Sequence, residues 1–164
     1  MKWLTDFLLS SLGRKLIMSL TGLFLCLFLV VHMLGNLQLF IGNGETFNAY
    51  AYKMTTNPLI KIISYGNYFF ILLHAFQGIL LAVHNRKARG GVKYAGKETS
   101  PTKAGVSSRN MALLGTLIFA FIALHMAQFW ARMHFTDMPV DAQGHKDLYL
   151  IVSEAFQHTW VVVV

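Results

Sequence analysis

Three stretches of this chain carry no charged side chain: Leu16 to Ile41 over 26 residues, Ile62 to Val83 over 22, and Asn110 to Ala131 over 22. An α-helix rising ~1.5 Å per residue needs about 20 residues to cross the hydrocarbon core of a bilayer, so each stretch is long enough to span one. Composition points the same way, because the 164 residues are 55% hydrophobic and only 13% charged, whereas a water-soluble domain carries about 25% charged. The expectation is an all-α integral membrane helical bundle, one domain over 1–164, with transmembrane helices at 16–41, 59–84 and 110–133.

The N-terminus does not read as a cleaved signal, since its apolar run is far longer than a signal core and lacks a small-residue cleavage site. Residues 1–13 place Trp3, Phe7, Leu8 and Ser11 at helical spacing, which suits a short helix lying at the membrane interface. The basic residues then orient the spans. Lys2, Arg14 and Lys15 precede the first, and Arg86, Lys87, Arg89, Lys93, Lys97, Lys103 and Arg109 lie between the second and third, together 10 of 14. The positive-inside rule therefore puts the N-terminus in the cytoplasm. Five of the seven acids, Glu45, Asp137, Asp141, Asp147 and Glu154, fall on the outer side. The net charge of +7 is a topology signal, and a nucleic-acid partner is not expected.

The connections are expected to be an outer loop at 42–58 with room for a half-turn of helix, opened by Gly42-Asn43-Gly44 and closed by Pro58, an inner basic loop at 85–109, and an outer segment at 134–157. The inner loop serves as a positive-inside tether or as a docking face for a soluble partner. Cys26 lies mid-span as the single cysteine and receives no role. The final residues 158–164 read as the start of a fourth helix, which is too short to cross a bilayer where the chain stops.

One histidine sits inside each uncharged run: His32, His74 and His125. An ionisable group in hydrocarbon is costly and faces the bundle interior with a partner. Haem iron is such a partner, because neutral imidazole is a standard axial ligand and the porphyrin is apolar. A core histidine satisfied by hydrogen bonds is the competing account. Depth separates the three. His32 lies about 24 Å from the inner start of the first span and His125 about 22 Å from that of the third, but His74 only about 15 Å from the inner end of the second. His32 and His125 are level, and His74 belongs to a different haem. Gly22, Gly35, Gly66, Gly78 and Gly115 supply gaps for a flat macrocycle or for close helix packing.

At this point the chain resembles the two-haem cytochrome b anchor subunit of bacterial succinate dehydrogenases and fumarate reductases, in its single-subunit form. The resemblance rests on GRKLIMSLTGLFLCLFLVVHMLGNLQLF, GETFNAYA, LLHAFQGILLAVH and SSRNMALLGTLIFAFIALHM, in that order along nearly the whole chain. It implies five spans and two haem b groups. His32 and His125 would ligate the outer haem, and His74 the inner haem, whose other ligand lies deeper in the fourth helix; His158 does not match that ligand. It further implies a flavoprotein subunit and an iron–sulfur subunit docked on the cytoplasmic face, a bacterial inner (cytoplasmic) membrane location, and quinone, expected to be menaquinone, as substrate. The dicarboxylate chemistry belongs to a partner subunit.

Ser19 and Arg109, both near inner helix ends, are candidates to hold haem propionates. Glu45, in the matched GETFN segment, is the candidate proton carrier for quinone, although a solvated loop carboxylate would look the same in sequence. His84, roughly 280° around the helix from His74, reads as an interfacial anchor or a propionate or quinone contact, and His134 and His145 as loop residues. Two alternatives stay open: the haem b anchor of another quinone-linked dehydrogenase, acting on hydrogen or formate, and a haem-free transporter using histidines as proton relays.

Overall fold

The computed structural model describes residues 2–90 and 110–159. Every extended element in it is helical. Helix α1 (Lys2–Leu9) is followed by α2 (Ser11–Asn36), which continues as a 3-10 turn over Leu37–Phe40; α3 covers Gly44–Thr56 and α4 Pro58–Arg89. Beyond the undescribed segment, α5 (Met111–His125) passes into a π-helical turn (Met126–Ala131) and a last turn α6 (Arg132–Phe135), and α7 covers Leu148–Gln157.

Three of these helical runs are long and apolar enough to cross a membrane: Ser11–Phe40, Pro58–Ala88 and Met111–Phe135. Their surfaces are inverted relative to a water-soluble fold. Leu20, Leu23, Leu27, Ile62, Phe69, Phe76 and Leu117 are all exposed, while the buried positions include Thr21, Asn48 and Asn67. In water so much apolar surface would drive association; in hydrocarbon it is the solvated surface, and the polar groups turn inward.

Among the described residues the structure differs from the sequence expectation at the N-terminal and outer connections. The interfacial helix is not continuous over 1–13. It breaks at Ser10, whose hydroxyl accepts from the Gly13 N–H at 3.1 Å and whose carbonyl accepts from the Arg14 N–H at 3.0 Å, so Ser10 caps the start of α2. Residues 42–58 are not a loop but are mostly the helix α3. Asn43 caps it, its side chain accepting from the Thr46 N–H, and Phe47 and Asn48 are buried. Asn57 then caps α4 through the Leu59 N–H at 2.9 Å, with Pro58 at the first helical position, where its missing donor is harmless. Helix α4 continues to Arg89, so the expected inner loop begins later than residue 85. In the 134–157 segment α7 forms, and it ends at His158 in extended backbone. Lys93, Lys97, Lys103 and Arg109, and the expected fourth-helix start beyond residue 159, lie outside the described residues.

The described residues fall into two compact units. One joins Met1–Phe24 with Phe69–His125, and the other joins Leu25–Tyr68 with Met126–Val164. In the second, α3 packs against α7 around one polar side chain. Asn48, 2% exposed, donates to Asp147 Oδ1 at 2.8 Å and accepts from the Tyr149 N–H at 3.0 Å. Asp147 also caps α7 by accepting from the Leu150 N–H. Gly44 is required at this contact, because a Cβ there would lie 2.6 Å from Tyr149 Cδ1.

Candidate functional site

His74 lies on α4, in the unit that also contains the first part of α2. Its Nδ1 is 2.9 Å from the Thr21 hydroxyl. Thr21 is 4% exposed, and its hydroxyl reaches back to the Ile17 carbonyl at 2.7 Å and the Met18 carbonyl at 3.2 Å. This back-bonding is the ordinary way a helical threonine satisfies its hydrogen away from water. The ring lies against Gly22, where a Cβ would come 3.1 Å from His74 Cε1. A Cβ there would require the imidazole to give by a few tenths of an ångström. The rings of Phe24 and Phe70, on the same two helices, meet at a tilt of 54° with centroids 4.7 Å apart. One turn further along α4, the buried Oε1 of Gln77 has no hydrogen-bond partner among the described residues.

His32 and His125 share a local arrangement. The His32 ring stacks on Phe28 (centroids 5.3 Å, planes 18° apart) and the His125 ring on Phe121 (5.8 Å, 19°). In each case the phenylalanine is one helical turn earlier, which is where consecutive side chains on one face meet. His125 is also the last residue of α5 before the π-helical turn. A π turn inserts an extra residue into the helical register and so re-aims every side chain after it.

Among the described residues no three His, Cys, Asp or Glu side chains converge as a bare metal ion would require, but a bis-histidine haem asks only for an imidazole from each side. The Nδ1 of His74 faces a hydroxyl, and a metal-binding histidine ordinarily has such a hydrogen-bond partner on its other ring nitrogen.

The other glycines divide. Gly78 faces the Met18 methyl, where a Cβ would come within 3.3 Å, and Gly35 faces the Tyr50 hydroxyl of α3, so both serve helix packing. A Cβ added at Gly66 or Gly115 would meet no described residue beyond its own helix backbone within 4 Å. Ser19 is exposed and donates to the Lys15 carbonyl at 2.6 Å; to hold a propionate it would have to turn that hydrogen away. Arg109 lies outside the described residues. Glu45 is exposed in the first turn of α3, where a carboxylate is favoured by the helix dipole, with the Asn43 side-chain amide 3.5 Å away. His84 and His134 each engage the carbonyl one turn earlier, at Leu80 and Trp130.

Three features were not picked out from the sequence. Thr21 is one, since its partner is 53 residues away. The π-helical turn is another. The third is a groove of about 440 Å³ lined by Gln128, Phe129, Arg132, Ile151, Glu154 and His158, which combines a cation, an acid and apolar walls. A further polar cluster closes the turn before α7. There the His145 ring lies 3.5 Å from the Asp141 carboxylate and against Tyr52. Burial works to raise the Asp141 carboxyl, but the N–H groups of His145 and Gln143, the imidazole of His145 and the Asn48 amide outweigh it and hold Asp141 below the usual carboxylate range.

These features define an all-α, multi-spanning membrane protein with an inward-turned polar interior. Comparison with models of known families, with curated proteins and with solved structures finds no match to this chain.

Proposed function

We propose that this chain is the haem b-containing membrane anchor of a succinate dehydrogenase or fumarate reductase. It would carry electrons between a flavoprotein and iron–sulfur pair on the cytoplasmic face and quinone in a bacterial inner membrane. The observation that carries the reading is one histidine in each of three membrane-length helices, one of them, His74, seated against Gly22 with a hydroxyl on its Nδ1. Haem, when bound, supplies a one-electron couple in an apolar surrounding. The chain's own residues set ligand identity, ring orientation and dielectric.

A reduced-minus-oxidised absorbance spectrum of the membrane-inserted protein tests this directly. Haem b bands are expected, with a flavoprotein of succinate-oxidising type co-purifying. Bands without that flavoprotein would assign the chain to another quinone-linked dehydrogenase, such as one acting on hydrogen or formate. Protein without bands would leave the histidines as proton relays.

Glu45 is proposed as the group that exchanges a proton with quinone, expected to be menaquinone, at the outer interface. Glu45→Gln is expected to abolish quinone-linked turnover while leaving the haem spectra intact, because a neutral amide cannot accept the proton. Glu154 is the competing carboxylate, since it lines the groove beside Arg132. Full turnover in Glu45→Gln together with loss in Glu154→Gln would move the quinone site to that groove.

A further inference from the structure

We infer that Thr21 is the positioning residue for His74: its hydroxyl oxygen accepts the Nδ1 hydrogen and thereby presents Nε2 as the coordinating nitrogen. The inference rests on the haem reading above, and goes beyond it by assigning a function to a residue that binds no iron.

The argument is a count of hydrogens. A threonine hydroxyl has one hydrogen and two lone pairs. The hydrogen of Thr21 is directed at its own helix, with Ile17 O at 2.7 Å and Met18 O at 3.2 Å, and both of those groups can only accept. Toward His74, at 2.9 Å, the hydroxyl must then accept. Nδ1 carries the hydrogen, and the lone pair of the neutral ring is on Nε2. With the hydroxyl hydrogen on Ile17 O, the shortest of its three contacts, the opposite tautomer would bring two lone pairs together across 2.9 Å away from water, which is costly. Gly22 adds a steric restraint on the same ring, because any Cβ there would contact Cε1. Thr21 therefore governs which nitrogen is available, and Gly22 where the ring lies.

An Nδ1–H that donates to an acceptor makes Nε2 a stronger donor to iron, which favours the oxidised state. Removing the acceptor should raise the potential of the haem held by His74 and no other. The test is a potentiometric titration of the full protein in membranes, with electron paramagnetic resonance of the oxidised haems, for Thr21→Val and Thr21→Ser. Thr21→Val, nearly isosteric, is expected to shift one haem's oxidised-to-reduced equilibrium about tenfold toward the reduced form, about 59 mV for a one-electron couple. Its resonance should move while that of the other haem stays in place. Thr21→Ser, which keeps the hydroxyl, should restore both.

Loss of only the His74 haem in Thr21→Val, with rescue in Thr21→Ser, supports the same role. Unchanged potentials and resonances in Thr21→Val overturn it, as does loss of every haem in both variants, which would mark Thr21 as a packing residue. If Thr21→Val does not accumulate, Thr21→Ala replaces it under the same criteria. Absence of haem from the unsubstituted protein is a different failure: it removes the haem reading itself.

Discussion

In the protein extended through a complete fourth helix, His32→Ala and His125→Ala are each expected to delete the same haem component from the redox-resolved spectrum, whereas His74→Ala deletes the other. The effect is complete for each component because an alanine offers iron no axial nitrogen, and the haem loses one of its two protein attachments. The pairing follows from depth. By residue count along helices of ~1.5 Å rise, the sequence expectation sets His32 and His125 at one level and His74 one to two turns nearer the inner side. The shared stacking of His32 on Phe28 and of His125 on Phe121 is consistent with two rings held in the same way. Potentiometric titration of the reduced haem bands in the three variants decides the matter. If His74→Ala and His125→Ala abolish one common component, the pairing is wrong.

The second large effect concerns stability. Asn48→Ala leaves the Tyr149 N–H without its acceptor and takes one donor from Asp147, both at the packed face of α3 and α7. A buried polar group stranded in this way costs about 1–3 kcal/mol, so a loss of about 3 kcal/mol is expected for the unit as a whole. Asn48→Asp should be worse. It would set a carboxylate against Asp147 and beside Asp141, where the amide now serves both, and like charges held together in a buried site repel strongly. Hydrogen exchange at the Tyr149 amide in the detergent-solubilised protein is the measurement. Exchange as slow in Asn48→Ala as in the parent would show that α7 is held by something other than Asn48.

Much of the fold was readable because hydrocarbon imposes a simple rule. A run free of charge and at least 20 residues long can satisfy its backbone in hydrocarbon only as a helix, so the charge-free runs 16–41, 62–83 and 110–131 announce the long helices without any knowledge of their neighbours. Connections obey no such rule. Gly42, Gly44 and Pro58 give residues 42–58 the look of a loop, yet Asn43 and Asn57 act as helix caps, and Asn48 finds its partner in Asp147, the cap of α7. That partner lies 99 residues along the chain from Asn48, beyond the reach of any local pattern.

The candidate site divides in the same way. Charge-free length and the lone histidine in each run are properties of single helices, so the sequence by itself determined a multi-spanning helical protein and singled out His32, His74 and His125. What only the tertiary structure decided is how one of those histidines is held. Thr21 is an unremarked hydroxyl in α2 and Gly22 one small residue among several, until α4 brings the His74 ring to 2.9 Å from the first and against the second. The physical reason is that periodicity records which side of a helix a residue occupies, whereas a hydrogen bond between helices depends on their rotation and offset, and those are set by the packing of all their side chains together.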